Sequence, residues 1–520
     1  MDKRRFFKHT LVFGVGGIIG QLVPLILLPL FTNYLTTSEY GTLDLIIRTS
    51  DIINTVFLVG GIRLAAMTFY KQAESEEARR RVAITISILL WFVVAVAINV
   101  SVYFVEYVEL FWKTGEQDIL AVGLAVTLLE ALVAVPMTLM QARLESLRFV
   151  LTNIAQSLAR LGLCIYFVAG LRWGILGVLS AQAIVITVFI VYLTSRELRL
   201  GSLCPDTKKW KEILLFSLPL VPNGILAFVY GMSDRYFIVH FGPYESGVAA
   251  VGAVGLYALA SRLMSVSMSM GAGPMQRVWT SEMYDAYKKP DASYIFGNFM
   301  LRLLCVQAFA ILLISLFAVE IVRIMSDSSF QNAAMLVPLF GLESFFAVFA
   351  YQMNNTFFIT RKTNYNFFCT LYSLPFLLLM MYFFVSYWGI MGAVIAHVAS
   401  RVIYAGIVYS VTRRFFYVRY PFGKMAILLV FTVLCYCLSL LCGSGIELSS
   451  LSTEEFKALS KWERIMGAWE RFRWFSIFAK IGMVGLWGVL VWFSGILSQE
   501  DKALAIRVFK TGLRKLYLLR

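Results

Sequence analysis

Charge is scarce in this chain. Only 15% of its 520 residues are Asp, Glu, Lys or Arg, where a soluble protein carries roughly 25%. Acid is the scarcer sign, with 31 Asp and Glu against 46 Lys and Arg, a formal net charge of +15. In a soluble protein that excess would suggest nucleic acid. Here the basic residues stand in short connections between apolar runs, so orientation in a bilayer explains them and no nucleic-acid partner is expected. Histidine occurs three times and cysteine seven times. No CxxC and no His/Cys metal spacing is present, and six of the cysteines fall in or against apolar stretches, with Cys204 in a basic loop. Neither disulfides nor structural zinc are therefore expected. No catalytic triad or metal cluster can be assembled, and the chain is not read as an enzyme.

What fills the chain instead is apolar, 59% of it. A membrane span needs about 20 such residues. On that rule about fourteen helices begin near Thr10, Thr42, Val82, Ile119, Val150, Gly174, Ile213, Gly247, Ile295, Ala333, Thr363, Gly389, Phe422 and Phe475. The fold class is all-α and polytopic. The opening MDKRRFFKHT resembles the basic region of a signal peptide, but the apolar run to Phe31 is too long and lacks a small-residue cleavage site. An uncleaved first helix is expected. Basic residues then alternate between connections. One set holds Lys3 to Arg5; Lys71 with Arg79 to Arg81; Arg143 and Arg148; Arg196 to Lys211; and Lys288 and Lys289, and it continues to the tail. The opposite set is poor in Lys and Arg until the last loop, and one member carries Glu106, Glu109, Glu116 and Asp118. Both termini are thus expected to face the cytosol.

The stretch from Gly41 to Tyr70 organises the rest. It is long enough to cross a bilayer yet carries Asp44, Arg48 and Asp51, and charge at membrane depth is a functional hint by default. It also returns. Gly41 matches Gly255, Arg48 matches Arg262, Arg63 matches Arg277 and Tyr70 matches Tyr284, at a constant separation of 214 residues. Trp173-Gly174-Ile175-Leu176-Gly177 recurs as Trp388-Gly389-Ile390-Met391-Gly392, Leu129-Glu130 as Leu342-Glu343, and Val23-Pro24 as Val221-Pro222. Six helices per unit is an even number, so both units enter from one side. That predicts parallel repeats about an axis along the membrane normal, with a central cavity between them. The expected divisions are an N-terminal lobe over 1–210 (helices 1–6), a C-terminal lobe over 211–420 (helices 7–12), and 421–520 with two further helices. In the last division, Ser452 and Glu455 have capping-box spacing, and Phe456, Leu459, Trp462, Met466 and Trp469 recur at helical steps. An amphipathic helix on the outer face over about 453–473 is expected, followed by a basic cytosolic tail that contacts anionic lipid.

With these residues laid out, the chain resembles a bacterial oligosaccharide flippase of the polysaccharide-synthesis (Wzx) type. That family sits in the superfamily of the multidrug and toxin extruders and the peptidoglycan-precursor flippase. The resemblance covers essentially the whole chain. It is carried by the basic N-terminus and Gly- and Pro-containing first helix, Tyr40-Gly41, Ser217-Leu218-Pro219, Ser233-Asp234-Arg235, Val254-Gly255-Leu256-Tyr257 with Ala260, and the Trp-Gly-Ile-x-Gly pair. It implies two six-helix lobes, a cationic cavity and alternating access in a bacterial inner membrane. The implied cargo is a polyprenyl-pyrophosphate-linked glycan, turned from the cytosolic to the outer leaflet. Membrane lipids and other polysaccharide-assembly proteins are the further partners it suggests. No cofactor is implied, and coupling to H+ or Na+ is left open. Family members often have twelve helices, so the extra pair departs from the pattern.

Arg48 follows Asp44 by four residues and precedes Asp51 by three, so all three can share a helix face. Ala258 and Ser265 stand at the matching places around Arg262. Two readings are open for these arginines. Each lobe could be pinned by an ion pair, Arg48 with Glu130 and Arg262 with Glu343; or an arginine could meet the pyrophosphate, whose oxygens suit its planar fork. Arg262, lacking acidic neighbours, is the better anion site. Arg63 and Arg277 fall near the cytosolic helix ends, where snorkelling competes with cargo contact. Arg160, and Arg401 with His397 one turn away, lie deeper and could join the cavity. Asp234-Arg235 is expected to be a local ion pair closing helix seven at the outer surface. Pro24 and Pro29, with Pro219 and Pro222, remove backbone donors in matched helices and mark a hinge or a static kink.

A cation-coupled multidrug exporter of the same fold and a membrane glycan polymerase are the competing functions. A cationic cavity argues against the first. A short amphipathic outer loop and a six-plus-six repeat argue against the second. The alternation of basic connections makes a direct prediction about topology. With the native cysteines removed, Ala458→Cys should react with an impermeant thiol reagent from outside and Lys208→Cys should not; the reverse pattern, or labelling at both, would sink the fourteen-helix topology.

Overall fold

Apolar windows and helix starts coincide along the chain. The computed structural model describes residues 27–143, 145–200, 205–218, 220–360, 364–440 and 474–497, with 362, 499, 502 and 503. Among them every regular element is helical. The first covers 27–34 (α1). It is followed by α2 (Thr37–Val56), α3 (Val59–Gln72), α4 (Glu76–Tyr103), α5 (Val105–Trp112), α6 (Gln117–Leu129), α7 (Ala131–Ala142), α8 (Ser146–Cys164) with a π turn at Ile165–Gly170, and α9 (Gly174–Leu200). Then come α10 (Lys208–Ser217), α11 (Leu220–Phe241), α12 (Gly247–Met270), α13 (Ala272–Tyr287), α14 (Ala292–Leu316), α15 (Ala318–Met325), α16 (Val337–Ile359), α17 (Asn364–Thr412), α18 (Phe422–Ser439) and α19 (Trp474–Phe493).

Each helix start expected from Thr42 onward falls in or beside one of these elements. Among the described residues, eight helical stretches are long and apolar enough to cross a membrane, or up to eleven if each bent pair is one span. The longest, α17, is two helices merged across Gly389, whose φ of 54° and ψ of −131° are not helical. Most of the first expected span, the outer amphipathic helix over about 453–473 and most of the basic tail lie outside the described residues.

Gly41 to Tyr70 is not one helix, as its apolar length suggests, but two. A capping box starts α2: the Thr36 hydroxyl accepts from the Glu39 amide at 3.1 Å, and the Glu39 carboxylate accepts from the Thr36 amide at 2.8 Å. The helix stops at Val56, Leu58 takes the left-handed φ of 65°, and α3 leaves at 54° to α2. The interruption recurs in register: α12 ends at Met270, 214 residues after Val56. There the break is capped from another helix. Gln307, fully buried on α14, accepts from the Ala272 amide at 3.1 Å and donates to the hydroxyls of Ser267 at 3.0 Å and Ser344 at 2.9 Å.

The repeated glycines meet each other. A Cβ on Gly41 would collide with the Val251 carbonyl and stand 3.1 Å from the Gly255 amide, and a Cβ on Gly255 would collide with the Thr37 carbonyl and stand 3.1 Å from the Gly41 amide. That reciprocity is what a two-fold relation between α2 and α12 requires.

The Trp-Gly-Ile-x-Gly motif has a physical reason in each copy. Gly174 and Gly389 both adopt a φ near +55° at a helix start. The amide that follows is capped by a side chain: Ile175 donates to Glu39 at 3.4 Å, and Ile390 donates to the Tyr244 hydroxyl at 3.0 Å. The Trp stacks on a Phe of the preceding helix, Trp173 on Phe167 at 5.1 Å and Trp388 on Phe384 at 5.5 Å. The last glycine lets backbones touch, since a Cβ on Gly177 would crowd the Phe167 carbonyl at 3.2 Å and one on Gly392 would collide with that of Phe384.

Two compact units emerge from the packing. One holds the chain up to Ala258 with Met325–Ser329 and Leu377–Ala393; the other holds Leu259–Ile324, Phe330–Phe376 and the chain from Val394. The first has a core that includes Ile62, Ala66, Ile86, Leu90, Val135 and Leu139. In the second, α18 packs on α14 and α19. Lys480 of α19, 2% exposed, is neutralised there by Glu320.

Overpacking at a backbone contact costs about 1–3 kcal/mol. Gly392→Ala should therefore lower the melting temperature of the detergent-solubilised protein by several degrees. Gly406→Ala, whose Cβ meets nothing within 4 Å, should not. Equal melting temperatures for the two variants would refute the close contact at Gly392.

Candidate functional site

Five charged side chains form one chain of contacts in the first unit. Arg48 Nε lies 3.4 Å from Asp44 Oδ1, an ion pair without hydrogen-bond alignment, and Arg48 Nη1 lies 3.4 Å from Asp51 Oδ2. The other Asp44 oxygen accepts from Arg235 Nε at 3.1 Å, and Arg235 Nη1 donates to Asp234 at 2.7 Å. The Arg235 guanidinium also sits 5.0 Å from the centroid of the Tyr257 ring. Arg235 is 4% exposed and Asp234 1%. The local ion pair expected at Asp234-Arg235 is formed; it is buried within α11 and also reaches across to α2. Burial at that depth demands compensation. Two guanidiniums and three carboxylates thus meet in one continuous network.

Glu130 and Glu343 are occupied by partners other than Arg48 and Arg262. Glu130, at the junction of α6 and α7, accepts from Arg160 of α8 at 2.9 Å and from Gln182 of α9 at 3.0 Å. Glu343 of α16 accepts from Arg401 of α17 at 2.9 Å. The carboxylates do pin each unit internally, but the pins are Arg160 and Arg401. The ion pairs Arg48–Glu130 and Arg262–Glu343 are not formed. The reason is reach: Arg48 is held by the two acids on its own helix.

Arg63 on α3 and Arg262 on α12 are exposed, and among the described residues no carboxylate lies within ion-pair distance of either. Arg277 lies on α13, and its side chain is outside the described residues. Of the prolines, Pro29 falls in α1, where its carbonyl accepts from Asn33 at 2.7 Å, and Pro222 falls near the start of α11. Pro24 and Pro219 lie outside the described residues.

The architecture has relatives. Residues 6–280, more than half of the chain, match a family described as polysaccharide biosynthesis protein. The chain belongs to that family. Among solved structures, the polysaccharide biosynthesis protein is similar to the lipid II flippase MurJ in an inward closed conformation, with a TM-score of 0.67 and 12% identity over 94% of this chain and 100% of that one. It is also similar to an inward-facing multidrug resistance MATE transporter of the MOP superfamily, with a TM-score of 0.62 and 15% identity over 76% and 94% of the two chains. A MOP superfamily transporter from Pyrococcus furiosus aligns with a TM-score of 0.53 and 15% identity over 78% and 95%. No curated protein matches by sequence. The fold is therefore the one that these solved membrane proteins share.

For this polysaccharide biosynthesis protein, sequence spacing identified the Asp44–Arg48–Asp51 cluster but missed Arg235 as its centre. The two segments are 191 residues apart, and no periodicity links them. The only cue was an Asp-Arg dipeptide inside an apolar run. Removing one partner of a buried pair costs about 3–5 kcal/mol when the other stays charged. Arg235→Ala should thus sharply reduce the yield of folded, monodisperse protein, and adding Asp44→Asn and Asp234→Asn should restore it. Arg48→Ala, at a side chain 27% exposed, should cost less. Yield and melting temperature of purified variants decide; a normal Arg235→Ala protein would rule out the buried network.

Proposed function

We propose that the protein flips a polyprenyl-pyrophosphate-linked oligosaccharide from the cytosolic to the outer leaflet of a bacterial inner membrane, by alternating access, for surface polysaccharide assembly. Family membership and the fold shared with a lipid II flippase support a transporter of lipid-linked cargo. One observation carries the finer reading. Arg48, Arg160, Arg235 and Arg401 are each met by carboxylates, whereas Arg262 is exposed and has none among the described residues. An uncompensated guanidinium at membrane depth attracts an anion, and its fork matches pyrophosphate oxygens bidentately.

In this reading the halves 1–210 and 211–420 rock against each other about the axis that the reciprocal Gly41–Gly255 contact suggests. Arg262 holds the pyrophosphate, with Arg63 and Arg277 receiving it from the cytosolic side. Both termini face the cytosol. An organic cation as cargo is disfavoured because Arg262 would repel it.

The test is leaflet exchange of a defined lipid-linked oligosaccharide by reconstituted protein, normalised to inserted protein. Arg262→Ala should lose at least about tenfold in rate, as expected for a lost charge-assisted contact of about 1.5–3 kcal/mol. Arg262→Lys should recover part of it, because a point charge lacks the fork. Undiminished exchange by Arg262→Ala would end the claim that this residue holds the phosphate.

A further inference from the structure

A cationic cavity lies at the loop end of the first unit. It encloses about 510 Å³ between the C-terminal turn of α3, the start of α4 and the α7–α8 connection. Tyr70, Lys71, Arg79, Arg80 and Arg143 line it, with Glu76 and Glu145 as its acids. Its floor is built and saturated. The Arg143 guanidinium makes a bidentate pair with Glu197, 2.7 Å on each arm, while its Nε donates to the Tyr70 hydroxyl at 3.2 Å. Glu145 is held by Arg196, and Glu76 is taken by Arg79 at 2.9 Å. These contacts leave Lys71 and Arg80 exposed at the rim, with no carboxylate within ion-pair distance among the described residues.

The rim charges differ between the repeats. At the constant separation of 214 residues, Tyr284 keeps the aromatic of Tyr70, but Asp285 replaces Lys71 and pairs with Lys288. A feature needed simply to close a helix end would be expected in both repeats. Lys71, Arg79 and Arg80 also sit in the connection that charge alternation assigns to the cytosolic interface, where phosphates of anionic lipids gather.

We propose that this cavity is a lipid-phosphate site, in which Lys71 and Arg80 bind the phosphate oxygens of a headgroup over the Tyr70–Arg143 floor. The phosphate has two sources: the diphosphate of an arriving polyprenyl carrier, or the headgroup of a resident anionic phospholipid. The site needs only lipid phosphate and stands whether or not the transport reading does.

The experiment uses full-length protein carrying Arg262→Ala, so that the other anion site is silent, in nanodiscs of phosphatidylcholine. Lys71 is footprinted by an amine-reactive reagent and mass spectrometry, with and without geranylgeranyl diphosphate or short-chain phosphatidylglycerol. Bound phosphate should slow modification of Lys71 several-fold while leaving Lys288 unchanged. Protection by the diphosphate alone assigns the site to the carrier; protection by phosphatidylglycerol, alone or as well, assigns it to resident lipid. Arg80→Gln should weaken the protecting concentration about tenfold, as expected for one charge-assisted contact, whereas Lys289→Gln should not. If neither probe protects Lys71, or both lysines are protected equally, the proposal fails, and this holds whatever the outcome of the leaflet-exchange assay.

Discussion

A helix interrupted in apolar surroundings must find partners for its open backbone groups within the protein, since lipid offers none. Much of this fold can be derived from that requirement. The break at Gly271 survives because Gln307 receives the Ala272 amide. The starts at Gly174 and Gly389 survive because Glu39 and Tyr244 receive the amides of Ile175 and Ile390. Each of these three capping side chains comes from a distant segment, so each of these breaks also ties together pieces of chain that would otherwise only touch. Glu39 serves twice, closing the capping box of α2 and receiving Ile175. The helix ends are thus both the places where the backbone can turn and the places where it is fastened.

The same low-polarity setting sorts the charges. A carboxylate and a guanidinium brought together at depth remove each other's cost, and a charge left over is one the fold does not need for itself. Glu130 with Arg160 and Gln182, Glu343 with Arg401, and Glu320 with Lys480 are matched sets, each joining separate helices. Arg262 stands apart from these sets, exposed and with no carboxylate within ion-pair distance among the described residues.

Helix starts were legible because a run of about 20 apolar residues can do little else in a bilayer. The glycine pairs and the Trp-Gly-Ile-x-Gly motif were legible as a repeat, although their meaning was not. That Gly41 and Gly255 touch each other needs the fold. The interruption of α2 at Leu58 was invisible, for no proline marks it. A leucine accepts a φ of 65° there because the surroundings dictate it: Gly61 packs on Ser217 and Gly224 on Thr55, with room for no Cβ on either glycine. The charge partners were the least legible part. Helical spacing finds neighbours within one element, as for Asp44, Arg48 and Asp51. It says nothing of Arg235, nor of whether Arg160 or Arg48 reaches Glu130.

The repeat keeps the backbone and lets the charges diverge, and that difference is itself informative. Glycines, helix breaks and aromatic stacks correspond between halves because each solves a steric or hydrogen-bonding problem that both halves share. Some charges are kept, as in Arg48 with Arg262 and Glu130 with Glu343, but others are not: Asp44 becomes Ala258, Lys71 becomes Asp285, and the neutral Gln182 becomes His397. The two matched arginines show it best: Arg48 is met by the acids of its own helix, whereas Arg262 has no carboxylate within ion-pair distance among the described residues. The steric solutions are thus repeated, while the electrostatic setting of the matched arginines is not.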